Sequence, residues 1–235
     1  MYEMTKNKKL LLSLLIMVGV FLMISNSCKK KDANNNTTPT AITVTDIDGN
    51  VYHTVTIGTQ VWMVENLKTT KYRDGTDIPI VIDKTAWNNL TTGAYSYYDN
   101  TVGYVYTYGN LYNWYAVNDP HNICPSGWHI PSSAEWKTLT TYLGGESIAG
   151  AKLKDTLHWK DNEATNETGF TALPGGIRNG GSYDYIYYEG FGYWWSSTEY
   201  GATDACDIFM EHYRNYAINY QANKNNGLSI RCVKD

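Results

Sequence analysis

The segment ICPSGWHIPSSAEW, residues 123–136, constrains the fold more than any other part of the chain. Ser132 and Glu135 have the spacing of an S-x-x-E capping box, in which each side chain accepts a hydrogen bond from the other residue's backbone N–H at a helix start. Apolar residues then recur at helical spacing through residues 136–143, and a Gly-Gly pair follows them. The sequence therefore predicts a helix over about 132–143.

The same segment carries a thiol and an imidazole, and these allow two interpretations. If Cys124 and His129 converged, they would supply a nucleophile and its general base. Alternatively the segment is a structural corner and Cys124 is half of a disulfide. Apart from Cys28, the chain contains Cys124, Cys206 and Cys232. An odd number predicts one disulfide and one free or buried thiol, which we expect beside Ile208 if it is Cys206.

Most of the remaining chain has strand and loop character. Residues 41–67 alternate apolar and polar side chains around two turn signals and predict two or three antiparallel strands. Residues 108–117 predict a short helix and residues 146–155 a second one after the main helix. Near the end, DIFMEH and YAINY predict a hairpin, and residues 228–233 predict a final buried strand. This pattern favours the α+β class.

The N-terminus has the features of a bacterial lipoprotein signal. Residues 1–9 carry three lysines, and residues 10–24 contain no charged side chain and are short for a membrane span. The small residues before Cys28 resemble a lipobox, which implies cleavage after residue 27 and lipid attachment to Cys28. Residues 28–40 are polar and predict a flexible tether. No linker divides residues 41–235, so we expect one domain there.

Six blocks, in order, resemble the Fibrobacter succinogenes major paralogous domain of Bacteroidetes and Fibrobacteres lipoproteins. They are DIDGNVYHTVTIGTQVWMVENLKT, YGNLYNWYAV, ICPSGWHIPSSAEW, GFTALPGGIR, GYWWSSTE and GLSIRCVKD. That family is similar to the formylglycine-generating branch of the C-type lectin fold. The resemblance implies short helices around small antiparallel sheets with long loops, and adjacent N- and C-terminal strands. It also implies a disulfide between Cys124 and Cys232, because lectin-like folds place a bond between these two elements.

The same resemblance argues against catalysis. Formylglycine-generating enzymes use two nearby cysteines after a Gly-Gly-Ser-Trp segment, and here GGSYDYIYY has no cysteine for the next seventeen residues. The chain contains no G-x-S-x-G, H-E-x-x-H or P-loop motif. The carboxylate pairs Asp161/Glu163 and Asp207/Glu211 are the remaining glycosidase candidates. We expect no enzyme activity and no cofactor; Asp46, Asp48 and Asn50 imitate a calcium loop, but a plain hairpin turn is the preferred interpretation.

Tyr and Asn residues concentrate between residues 183 and 226, as in antibody binding surfaces. The predicted ligand-binding residues are Tyr187, Tyr188, Asp207, Glu211, Tyr213, Asn215, Tyr216, Asn219 and Tyr220. Residues 205–226 are also similar to the variable regions that diversity-generating retroelements randomise in some lectin-fold proteins.

We therefore expect a lipid-anchored outer-membrane protein that binds a glycan or a protein, with an adhesin or assembly subunit as the alternative and an enzyme third. Lysines after the anchor favour the periplasmic side, although the surface side stays open. No Lys/Arg cluster interleaves with aromatic residues, which argues against nucleic acid as a partner.

Overall fold

The computed structural model describes residues 42–160, 163–179, 185–186 and 189–235. Helices and strands in these segments are short, and the predicted α+β class is confirmed. No helix in the described segments is long and apolar enough to span a membrane. The α-helices are α1 (Lys84–Asn88), α2 (Val105–Tyr108), α3 (Trp114–Val117), α4 (Ser133–Tyr142) and α5 (Glu146–Leu153), with 3-10 turns at Tyr98–Asn100 and Val102–Tyr104.

Strands in the described residues form one five-stranded sheet, one three-stranded sheet and two two-stranded sheets, in the orders β1-β2-β3-β12-β6, β11-β10-β9, β4-β5 and β7-β8. Every pairing between named strands is antiparallel. The strands are β1 (Thr43–Thr45), β2 (Val51–Ile57), β3 (Gln60–Met63), β4 (Tyr95–Ser96), β5 (Leu111–Tyr112), β6 (Trp128–His129), β7 (Ile177–Arg178), β8 (Tyr185–Ile186), β9 (Phe191–Glu199), β10 (Asp204–Glu211), β11 (Ile218–Asn223) and β12 (Val233–Lys234).

The five-stranded sheet joins the first and last strands of the domain. Val233 of β12 lies opposite Trp62 of β3 on one side and His129 of β6 on the other. The predicted N-terminal hairpins are confirmed as β1-β2-β3. The final strand is shorter than predicted, because residues 228–229 bridge singly to Tyr112 and Trp194 on other elements before the chain reaches β12.

The main helix begins and ends where the sequence predicts. Ser132 is the N-cap of α4, and its capping box with Glu135 is complete. Gly144 and Gly145 follow with φ values of 102° and 107°, a left-handed conformation that glycine adopts without steric cost. α5 confirms the second predicted helix. The predicted helix over 108–117 is only partly correct: Leu111–Tyr112 pairs with β4, and α3 starts after the N-cap Asn113.

Two hydrophobic clusters hold these elements together. One packs α4 and α5 against the sheets, with Trp62 and Trp136 at a ring-centroid distance of 4.7 Å and Phe170 at the edge of both. The other surrounds Cys124, Trp195 and the strands on the far side of the β9–β11 sheet. Fully burying one such aromatic side chain contributes roughly 2 to 3 kcal/mol. The family blocks recognised in the sequence therefore build the core.

Candidate functional site

The segment that begins the main helix is a covalent corner. Cys124 and Cys232 form the predicted disulfide, with a Cα–Cα distance of 6.1 Å and 108 residues between them. Both cysteines are buried, at 2% and 0% exposure. Arg73 donates from Nε to the Cys124 carbonyl at 2.8 Å and from its guanidinium to the Trp128 carbonyl at 2.6 Å. Cys124 is therefore not the nucleophile that the alternative interpretation required.

His129 has partners that the sequence did not indicate. Its Nδ1 lies 2.6 Å from Oδ1 of Asp235, and its Nε2 lies 2.8 Å from Oε1 of Glu135. Desolvation lowers the pKa of His129, but hydrogen bonds and charge interactions with both carboxylates outweigh it and raise the pKa above its usual value. The imidazole therefore links the end of the chain to the capping box.

The predicted hairpin near the C-terminus, β10-β11, is confirmed and completes a three-stranded sheet with β9. Residues directly opposite each other in an antiparallel pair share one face of the sheet. Ile208 lies opposite Trp194 and packs toward α4 and α5. Phe209 lies opposite Tyr193 and Ile218 on the other face. The hairpin thus has a core face and a second, partly exposed face.

We call the aromatic part of the second face the Phe209 face; it consists of Phe191, Tyr193, Phe209, Tyr216 and Tyr220. Centroid distances from the Phe209 ring are 4.9 Å to Tyr193, 5.7 Å to Phe191, 5.8 Å to Tyr216 and 6.0 Å to Tyr220. The first four residues of the set are half-buried, and Tyr220 is 57% exposed. These rings form a continuous aromatic surface.

The Phe209 face extends past the end of β10. The His212 ring lies 6.2 Å from Phe191 and 4.6 Å from Tyr213, which is 57% exposed. Tyr216 donates its hydroxyl to Glu211, whose side chain also lies 3.5 Å from Nε of Arg214. Glu211 is 6% exposed and is occupied by these neighbours. Its predicted role as a ligand contact is therefore replaced by a role in fixing the tyrosines.

Asp207 does not lie on an accessible surface as the sequence interpretation expected. It is fully buried between Trp195 and Tyr220, its partners across the sheet, and neither carboxylate oxygen has a hydrogen-bond partner in the part of the chain that the structure describes. Burial raises the pKa of Asp207 to about 8. The strand alternation places Asp207 and Glu211 on one face, but tertiary packing covers both. They do not form an open pair of catalytic carboxylates.

Two predicted asparagines also point elsewhere. Asn219 lies opposite Ile208 on the core face, and its amide donates to Glu146 at the start of α5 at 3.2 Å. Asn215 donates to Glu163 at 3.1 Å. Both amides therefore fasten the hairpin to neighbouring segments. Of the predicted ligand-binding set, Tyr213, Tyr216 and Tyr220 are the residues that the structure brings to one aromatic surface.

Some predicted residues fall outside the described segments: Cys28, Asp161, Tyr187 and Tyr188. Among the described cysteines Cys206 is the free thiol, but it is half-buried and not fully buried as expected beside Ile208. The register between β9 and β10 shifts between Ala205 and Asp207, so no β9 residue lies opposite Cys206 to cover it.

The acidic turn after β1 uses its oxygens internally. Asp46 accepts from the backbone N–H of Asp48 at 3.0 Å and of Asn50 at 2.9 Å, and from the Tyr52 hydroxyl at 2.6 Å. Asp48 accepts from Thr70 and Thr69. The described residues contain no group of three or more side chains arranged to hold a metal ion. This geometry is that of the hairpin turn preferred from the sequence.

A cavity of about 470 Å³ was not expected from the sequence. It lies beside α2, and Asp155, just after α5, anchors one of its walls by holding Nδ1 of His158 at 2.6 Å. No local motif links residues near 100 to residue 158, and the tyrosine-rich composition was the only available signal. The residues that line it are Asp99, Thr101, Gly103, Tyr104, Thr107, Tyr108 and His158.

Taken as a class, this is a disulfide-closed α+β domain in which the final strand pairs with both the N-terminal hairpin and the strand before the main helix. The Fibrobacter succinogenes major domain model matches residues 55–234, and the chain belongs to that family. Searches of curated proteins and of solved structures found no match. The family assignment thus rests on residues that include the disulfide, the capped helix and the C-terminal hairpin.

Proposed function

We propose that the protein is a lipid-anchored cell-envelope component whose domain binds a ligand, either a glycan or another protein, without catalysis. The Phe209 face carries this proposal. Aromatic rings with polar hydroxyls offer large contact areas at little cost in side-chain entropy. Tyr213 and Tyr220 are each 57% exposed at its margins, while Glu211 fixes Tyr216 between them. The result is a preorganised surface of the kind that recognition uses.

The location proposed is the outer membrane, with the lipid on Cys28 and residues 28–40 as the tether. A buried disulfide in the domain supports an oxidising compartment outside the cytoplasm. The disulfide between the main-helix entry and the final strand is also consistent with a C-type-lectin-like fold of the sulfatase-modifying type. The lysines after the anchor favour the periplasmic side.

The proposal that the protein is not an enzyme rests on the bonding and burial of the candidate catalytic residues. Cys124 is held in a disulfide, and His129 is paired with Asp235 and Glu135. Asp207 is sealed in the sheet. A general acid or base needs a free site for the proton it transfers, and these groups are bonded to neighbouring residues or buried.

A second candidate function is assembly, in which the same face packs against another copy or a neighbouring subunit. Exposed aromatic rings around a half-buried phenylalanine suit both ligand binding and assembly. If residues 205–226 are diversified by a retroelement, the ligand would differ between copies. A neighbouring reverse transcriptase gene and a template repeat that differs only at adenines would establish this, and their absence would discard it.

The test compares the full-length protein with Tyr213→Ala/Tyr220→Ala, both purified in a detergent without a sugar headgroup. Tyr142→Ala is the matched control, because Tyr142 is 66% exposed on α4. Binding is measured on a glycan array and by capture of envelope proteins, and oligomeric state by light scattering.

We expect the double variant to lose at least one array glycan or captured envelope protein at least tenfold while it folds normally, and the control to bind like the unchanged protein. Loss of an oligomer without loss of ligand would support assembly. If both variants bind and assemble like the unchanged protein, the Phe209 face is not the functional surface.

A further inference from the structure

The tyrosine-lined cavity beside α2 has features that the proposed function does not use. Three aromatic rings line it: the centroid distances are 6.2 Å from Tyr104 to Tyr108 and 6.1 Å from Tyr108 to His158, and the Tyr98 ring lies 5.6 Å from that of Tyr104. An aromatic ring has an electron-rich face that attracts weakly positive C–H groups. Such rings suit a ligand whose flat side consists of C–H bonds.

The polar side chains of the cavity suit a ligand rich in hydroxyl groups. Asp99, Thr101 and Thr107 are exposed and line it. Nδ1 of His158 lies 2.6 Å from Oδ2 of Asp155, so Nδ1 carries the proton of this hydrogen bond and Nε2 is left for a ligand. Nε2 has no hydrogen-bond partner among the described residues. The wall of the cavity therefore offers several acceptors and two hydroxyl donors.

Asp155 keeps the proton of this hydrogen bond on Nδ1 of His158. Burial raises the pKa of Asp155, but hydrogen bonds from the His158 side chain and from the backbone N–H groups of Leu157 and His158 outweigh it and lower the pKa. The carboxylate is therefore ionised at neutral pH and accepts the Nδ1 proton. This arrangement fixes which imidazole nitrogen faces a ligand.

The charge of the lining residues limits which classes of ligand the cavity can bind. Asp99 is the only formally charged residue among the described residues that line the cavity, and it would repel an anionic ligand. A phosphate or an acidic sugar is thus disfavoured. The volume of about 470 Å³ lies within the usual range for small-ligand sites and exceeds that needed for a single small ion.

The loop that forms the cavity is held in place before any ligand arrives. Asp99 and Asn100 both have φ values of 50°, an uncommon left-handed conformation for residues other than glycine. Asn100 donates to the Ile82 carbonyl at 3.2 Å and accepts from the Tyr185 hydroxyl at 2.6 Å. Asparagine and aspartate adopt this conformation more readily than other side chains, and the two hydrogen bonds hold the loop in it.

Two sequence neighbours of the lining residues are exposed apolar side chains. Leu157, next to His158, is 83% exposed. Val102, in the adjoining 3-10 turn, is 58% exposed. From the half-exposed Tyr104 ring, the polar side chains of the wall and the lack of a cationic side chain among the described lining residues, we infer that this cavity binds a neutral saccharide, with Tyr104 against the pyranose ring and His158 Nε2 hydrogen-bonded to a sugar hydroxyl.

The test uses saturation-transfer difference NMR and calorimetry on the full-length protein in a zwitterionic detergent. The probes are cellotetraose, maltotetraose, mannotetraose and chitotetraose, with tetragalacturonic acid as the anionic comparison. We expect at least one neutral tetrasaccharide to bind, with saturation transferred to its ring C–H protons, and the anionic probe to bind at least tenfold more weakly.

Variants identify the site. Tyr104→Ala should weaken binding of the neutral probe at least tenfold, and Tyr106→Ala, its matched control in the same turn of chain, should change it by less than twofold. Thr107→Val removes one hydroxyl at an exposed position and should weaken binding at least threefold, so it tests the site even if Tyr104→Ala does not fold.

The inference is overturned if no neutral tetrasaccharide binds, or if Tyr106→Ala weakens binding as much as Tyr104→Ala or Thr107→Val. It is also overturned if Tyr213→Ala/Tyr220→Ala abolishes the saccharide signal, because the saccharide would then bind at the Phe209 face. Unchanged saccharide binding in that double variant leaves this site supported, whatever the array and capture experiments show for the Phe209 face.

Discussion

The disulfide corner at residues 123–136 and the C-terminal hairpin β10-β11 are both rich in aromatic and polar residues, but they use them differently. In the corner, the His129 imidazole, the Glu135 carboxylate and the Ser132 hydroxyl are bonded to one another or to the chain end. In the hairpin, Tyr213 and Tyr220 remain largely exposed. Composition alone therefore does not separate a structural corner from a binding surface, whereas the partners of each side chain do.

The largest expected effect on stability comes from removing the disulfide of the corner. Cys124→Ser/Cys232→Ser opens a loop of 108 residues and should lower the free energy of unfolding by about 4 to 5 kcal/mol in the chain-entropy model. Urea denaturation followed by tryptophan fluorescence measures this loss. Cys206→Ser is the control, because it removes a thiol without opening a bond, and it should cost less than about 1 kcal/mol. A double variant as stable as the control would contradict a structural role for the corner.

The next effect concerns the hairpin. The folded-state pKa of Asp207 is about 8, whereas a carboxyl in an unfolded chain has a pKa near 4. Between these values the folded state keeps a proton that the unfolded state has lost, so the stability from this group is complete below pH 4 and is lost as the pH rises to 8. Asp207→Asn removes this dependence.

At pH 8 we expect Asp207→Asn to be more stable than the unchanged protein by on the order of 3 kcal/mol, and at pH 4 we expect the two to be nearly equal. Denaturation curves at both pH values measure the difference, and Asp204→Asn, at the half-buried start of the same strand, is the control. A constant difference between the two proteins across this range would show that Asp207 is not the group responsible.

The smallest expected effect belongs to His129. Its carboxylate partners raise its pKa, so its stabilising contribution is complete below the usual histidine pKa and falls as the pH rises through the raised value. His129→Gln should cost about 0.5 to 1 kcal/mol at pH 5.5 and less at pH 9. Asp235→Asn removes one of the two carboxylates, so it should lower the stability by less than His129→Gln does. If His129→Gln lost more stability at pH 9 than at pH 5.5, the carboxylates would not raise the pKa of His129.

Local sequence signals predicted the local structure well. The capping box at Ser132 and Glu135, the glycine stop and the alternating hairpin strands act over a few residues, and all are present. The disulfide required the resemblance, because three cysteines allow three pairings and spacing does not choose among them.

Long-range packing could not be predicted in the same way. The sequence named Asp207 and Glu211 as candidate ligand contacts, but their burial depends on elements elsewhere in the fold, such as Trp195 across the sheet. The cavity joins residues near 100 to His158 through the path of the chain between them. His129 is hydrogen-bonded to Asp235, which lies 106 residues away in the sequence. Such contacts leave no periodic pattern in the sequence.

The central claim is that the corner holds the fold and the hairpin face binds the ligand. The direct test measures unfolding free energy and ligand capture together, on the glycan array and with envelope proteins, for Cys124→Ser/Cys232→Ser and Tyr213→Ala/Tyr220→Ala. We predict that the tyrosine variant loses ligand at least tenfold but less than about 1 kcal/mol of stability, and that the cysteine variant loses stability while its folded fraction still binds. A tyrosine variant that unfolds, or one that keeps every ligand of the unchanged protein, would contradict the account.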